Sequence, residues 1–139
     1  MLSKSPAATI ALGISLALIS FGSALRSDAP YQNRNIMVVY IGAEDCAPCL
    51  LWQGGMGAKF RTSSEFRRLS YREVKSPKLF ELLNDEVWPM DLRVYRQRID
   101  QTMAVPMWLV VLNGEVVAQG FGASQWVETV MPTLRQLLN

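Results

Sequence analysis

The chain has 139 residues, half of them hydrophobic and 19% charged, with a formal net charge of +2. That is room for one cored domain, and too little charge to argue for a nucleic-acid partner. With no histidine and only two cysteines, it excludes a Ser-His-Asp triad, a Cys-His pair, an imidazole base and a four-thiolate zinc site within one chain.

Ala7 to Leu25 carries no charge, follows Lys4 and precedes Arg26. This layout reads as an export segment, with Gly22-Ser23-Ala24 as an acceptable small-residue cleavage site. The run is also near the ~20 residues of a membrane span. Residues 1–25 are therefore either a signal peptide that is removed or an anchor that stays. Residues 26–35, with Pro30, read as a linker, and residues 36–139 as the domain.

Ile36-Met37-Val38-Val39-Tyr40-Ile41 is an unbroken apolar run rich in β-branched residues, the pattern of a strand buried on both faces. A turn follows, then Cys46-Ala47-Pro48-Cys49 and a helix start at Leu50-Leu51-Trp52. Gly54, Gly55 and Gly57 predict that this helix is kinked or short. Thr62-Ser63-Ser64-Glu65 has capping-box spacing and predicts a short helix through Arg68. Leu69 to Val74 alternates and predicts a strand. Ser76-Pro77 predicts a capped helix over Lys78 to Asn84, with Leu79, Leu82 and Leu83 on one face. Asp91 to Ile99 predicts another, through Leu92, Tyr95 and Ile99.

Met107 to Leu112, then Asn113-Gly114, then Glu115 to Gln119 is the strongest short hairpin signal. Gly120 and Gly122 close it. Ser124 is read as the cap of a last helix with an apolar face of Val127, Val130, Leu134 and Leu137, kinked at Pro132. Strand, helix, strand, helix, hairpin, helix gives an α/β domain with a mixed four-stranded sheet flanked by helices.

Cys46-x-x-Cys49 sits between a buried strand and a helix start, where unpaired N–H groups and the helix dipole favour a thiolate. Cys46 is the expected attacking sulfur, and Cys49, one turn on, the sulfur that releases the product. A metal site shared between two copies and a purely structural disulfide are the alternatives. A bridge closing only four residues removes less unfolded-state entropy than the ~3 kcal/mol of a 15-residue loop.

Four features in order resemble the thioredoxin superfamily. They are the Ile36–Ile41 strand running into Cys46-Ala47-Pro48-Cys49, Val105-Pro106 before a strand, the Asn113-Gly114 hairpin, and Gly120/Gly122 before a last helix. With the export segment, the chain is similar to periplasmic or membrane-tethered thiol-disulfide oxidoreductases of bacteria. The resemblance implies a thioredoxin-like fold without a cofactor or metal. Its partners would be disulfide-containing exported proteins and a membrane thiol or electron donor. Cys46 and Cys49 take the attacking and resolving roles. Pro106 becomes the cis-proline beside the disulfide, with Val105 presenting its backbone to substrate.

The chain departs from that pattern in two places. Asp45, preceded by Glu44, stands where the family often has Trp, so both acids are candidates for tuning the Cys46 sulfur. Tyr40 stands where cytosolic thioredoxins carry a buried Asp. Pro48 favours a reductant. Trp52 and Trp108 are candidate substrate-surface residues, one just past each half of the site. The 56 residues between Cys49 and Pro106 exceed the minimal thioredoxin spacing, and Pro89 to Ile99 is read as a family-specific surface. The basic run from Lys59 to Lys78 reads as a solvated face, and the scattered methionines as packing. A Cu(I) metallochaperone using the same cysteines and a non-catalytic binding module are the competing functions.

Overall fold

A computed structural model of the chain describes Met1 and residues 34–99 and 104–139. The export segment and most of the linker lie outside the described residues. Four strands form one sheet in the order β2-β1-β3-β4, with β1 at Ile36–Ala43, β2 at Ser70–Ser76, β3 at Met107–Leu112 and β4 at Glu115–Phe121. β1 pairs in parallel with β2 and antiparallel with β3, so it is an interior strand, as its unbroken apolar run requires.

Alternate β1 residues feed two cores. Val38 and Tyr40 face a layer containing Trp52, Phe60, Trp108, Trp126 and Leu134. Val39 and Ile41 face a second layer containing Val74, Leu82, Trp88, Leu92 and Tyr95. The helix after the cysteine pair splits into α1 (Ala47–Gly54) and α2 (Met56–Arg61) at Gly55, whose φ of −103° and ψ of −98° are not helical. The three glycines had predicted such a break. The hairpin turns at Asn113 (φ 52°) and Gly114 (φ 88°), the paired positive φ values of a type I′ turn.

Four elements differ from the sequence reading. The Thr62–Glu65 box opens only a 3-10 turn at Phe66–Arg68. Thr62 bonds back to the Lys59 carbonyl, and it is the Ser63 Oγ that accepts from the Phe66 N–H at 3.2 Å. The segment after β2 forms a 3-10 turn at Leu79–Glu81 instead of a helix over 78–84. A short helix is stabilised by the face it buries, and of its three leucines only Leu82 is fully buried.

Residues 91–99 yield a 3-10 turn at Met90–Leu92 and a single helical turn, α3 (Arg93–Arg96). Leu92, Tyr95 and Ile99 are buried at the expected spacing. This stretch therefore covers one face of the sheet, and only Met90 and Val94 among its large apolar residues stay exposed. It closes around Trp88, whose indole N–H donates to the Leu82 carbonyl at 2.8 Å.

The last helix begins with α4 (Gly122–Gln125), so Ser124 lies inside it and is not its cap. A π turn at Trp126–Val130 then leads into α5 (Met131–Leu138). Pro132 has no N–H for the regular ladder, and the wide turn carries the chain past it. The same turn rotates the buried face to Trp126, Val130, Leu134 and Leu138, leaving Val127 exposed.

Candidate active site

The site is assembled at the end of β1 that runs into α1. Cys46 is the N-cap of α1, extended at φ −104° and ψ 106°, and its sulfur accepts from the Cys49 N–H at 3.2 Å. Pro48 lies in the first turn, where a missing N–H costs nothing. Cys46 and Cys49 form a disulfide with Cα atoms 5.2 Å apart. Cys46 is 7% exposed and Cys49 0%. The Cys49 N–H and the helix dipole would hold a thiolate on Cys46 once the disulfide opens.

The second wall comes from 59 residues further on. The Val105–Pro106 peptide bond is cis, and the Val105 carbonyl oxygen lies 4.0 Å from the Cys46 Sγ. The Pro106 carbonyl accepts from the Gly122 N–H at 2.8 Å, tying this loop to the end of β4.

The two residues before Cys46 brace the site, Glu44 through its backbone and Asp45 through its carboxylate. The Glu44 N–H donates to the Ser76 carbonyl at 2.9 Å. The Asp45 Oδ1 accepts from the Leu79 N–H at 2.8 Å. Both side chains belong to exposed residues.

Trp52 and Trp108 are not a substrate surface. They are 2% and 0% exposed, packed between the sheet and the helices. Their rings lie 4.9 Å apart, and each meets Trp126 at 4.9 to 5.0 Å. Trp108 belongs to a strand whose apolar run was unbroken, and that signal pointed to burial. Tyr40 also enters this layer, stacked on Trp52 at 5.1 Å and 11°. Its hydroxyl accepts from the Gln53 Nε2 at 2.9 Å, and burial raises its pKa above the ordinary tyrosine value. Tyr40 is therefore a neutral phenol at pH 7.

The basic run is largely tied down within the domain. Arg61 donates to the Gln53 carbonyl, Arg68 to the Leu138 carbonyl, and Arg72 pairs with Asp91 through both carboxylate oxygens. Sequence reasoning missed Leu79 and Phe80, which line a groove beside Cys46. The available signal was Phe80, an aromatic off the apolar face assigned to that segment.

No family model matches the sequence, and no curated protein matches it. Solved structures are similar. The periplasmic thioredoxin SoxS from Paracoccus pantotrophus in reduced form matches at 11% identity and a TM-score of 0.51, over 75% of this chain and 96% of that one. Thioredoxin O2 from Arabidopsis thaliana in its oxidised state matches at 16% identity and a TM-score of 0.51, over 76% of each chain. The thioredoxin of Malassezia sympodialis matches at 15% and 0.50, over 76% and 79%. The chain has the thioredoxin-like fold, carrying a CxxC disulfide at the start of its first helix. Among the described residues no helix is long and apolar enough to cross a membrane.

Proposed function

We propose that this chain is a thiol-disulfide oxidoreductase acting on exported proteins, as a reductant. The observation that carries the reading is the Cys46–Cys49 disulfide at the α1 N-terminus, with Cys49 buried and the Val105 carbonyl beside Cys46. In the reduced protein the Cys46 thiolate attacks one sulfur of a partner disulfide and expels the other as a thiolate. Cys49 then gives up its proton and attacks the Cys46 sulfur, which expels the second partner sulfur. Two electrons pass to the partner, and a membrane dithiol donor restores the pair. The uncharged segment from Ala7 to Leu25 and the likeness to a periplasmic thioredoxin support a place outside the cytoplasm, either free or tethered. Pro48 supports the reducing direction.

Three measurements on the full chain test this. Cys46→Ala abolishes disulfide exchange, and retained turnover would sink the mechanism. Cys49→Ser accumulates mixed disulfides on Cys46, visible on a non-reducing gel. Equilibration with dithiothreitol buffers gives a reduction potential near about −270 mV for a reductant, whereas a value near about −120 mV reverses the direction. A stoichiometric copper titration of the reduced protein would favour the metallochaperone instead.

A further inference from the structure

An open groove of about 590 Å³ runs beside the disulfide, and Cys46, Val105, Leu79, Phe80, Leu82 and Leu83 contribute to its lining. The wall that Leu79 and Phe80 supply is unusual for a surface in water. Leu79 is 48% exposed and Phe80 80%, while the next leucine, Leu82, is buried at the floor of the same lining. Scattered apolar residues on a surface need no explanation. Two adjacent ones facing the groove that contains the reactive sulfur do need one.

This wall is held in place. Asp45 accepts from the Leu79 N–H, the Glu44 N–H donates to the Ser76 carbonyl, and the Ser76 Oγ accepts from the Lys78 N–H at 3.2 Å. At the other end of the turn, Trp88 donates to the Leu82 carbonyl and Arg96 to the Leu83 carbonyl, each at 2.8 Å. The Leu79–Glu81 turn is thus fixed at both ends, and one of its anchors is the residue directly before Cys46.

We infer that Leu79 and Phe80 are specificity-determining residues, selecting polypeptide disulfides with an apolar, preferably aromatic, side chain beside the cysteine that Cys46 attacks. Asp45 is the positioning residue that holds this wall against the site. The inference rests on the oxidoreductase reading above. A substrate sulfur within bonding distance of Cys46 places its neighbouring residue in the groove. There an apolar side chain removes water from itself and from Phe80 together, whereas a polar one is desolvated without a partner.

The test uses the full chain, reduced with dithiothreitol and desalted, in single-turnover reactions. The substrates are two symmetric disulfide peptides that differ only in Phe or Ser beside the cysteine, with oxidised glutathione as reference. The unmodified protein reduces the Phe peptide about 10-fold faster than the Ser peptide. Phe80→Ser brings that ratio to within about 2-fold, Leu79→Ser lowers it less, and Asp45→Ala lowers it to an intermediate value. Rates with glutathione normalise each variant. Equal peptide rates in the unmodified protein overturn the inference, as does a preference that survives Phe80→Ser. In both cases the oxidoreductase reading stands. A chain that reduces none of the three disulfides overturns that reading as well.

Discussion

Tyr40 and Gly42 lie two residues apart on the same face of β1, and the Tyr40 phenol fills the space where a side chain at 42 would begin. A Cβ on Gly42 would meet the hydroxyl and lie 2.7 Å from the ring Cζ. The ring cannot retreat cheaply, because it is stacked on Trp52 and tied to Gln53. Gly42→Ala should therefore cost about 1–3 kcal/mol through overpacking. A urea midpoint unchanged from the unmodified protein would contradict this.

Gly114 makes the contrasting case. A Cβ there meets nothing within 4 Å, but φ is +88°. The cost of Gly114→Ala is conformational, about 1–2 kcal/mol. Gly114→Asn should cost less than Gly114→Ala, because asparagine tolerates the left-handed region. At Gly42 the order should reverse, since only size matters there. Paired denaturation curves of the four variants check both orders.

One buried phenol, Tyr40, and one half-buried one, Tyr71, set an alkaline limit. Burial raises both Tyr40 and Tyr71, and Glu73 adds to the rise at each. In the unfolded chain tyrosine ionises near pH 10. Above that value the folded state holds more protons than the unfolded one, so stability falls as pH rises. Below it this contribution is fully present. Urea midpoints should be flat to about pH 9 and then decline. The Tyr40→Phe, Tyr71→Phe double variant should decline less steeply, and an equal slope would show that other groups are responsible.

The bond from Asp45 to the Leu79 amide has a local signature. Its loss in Asp45→Ala removes roughly 1 kcal/mol of protection, a factor of about 5 in hydrogen exchange at Leu79. The Lys78 amide, held by the Ser76 Oγ, serves as the internal control. Uniform acceleration of both would mean that the whole segment has loosened.

What the sequence made legible was whatever depended on local pattern. The β1 run, the Asn113-Gly114 turn, the glycine break after Trp52 and the cysteine pair each carry their signal within a few residues. What escaped it depended on distant partners. Lys78 to Asn84 has helical periodicity, yet the sheet fully buries Leu82 alone, and the turn answers to Asp45, 34 residues earlier. The π turn before Pro132 shifted a helical face that simple periodicity placed on Val127. The tryptophans were ambiguous for a related reason. Proximity in sequence to Cys49 and Pro106 does not say which side of the sheet a ring takes.

Cys49 has no exposed surface and sits one helical turn from Cys46. In the exchange proposed above, the second attack is therefore unimolecular. Its rate does not depend on the concentration of partner, and what competes with it is a thiol from solution that attacks the mixed disulfide itself. Without such a thiol, the time a captured protein spends attached is set by Cys49 and by that protein's own leaving sulfur, a clock that dilution leaves unchanged.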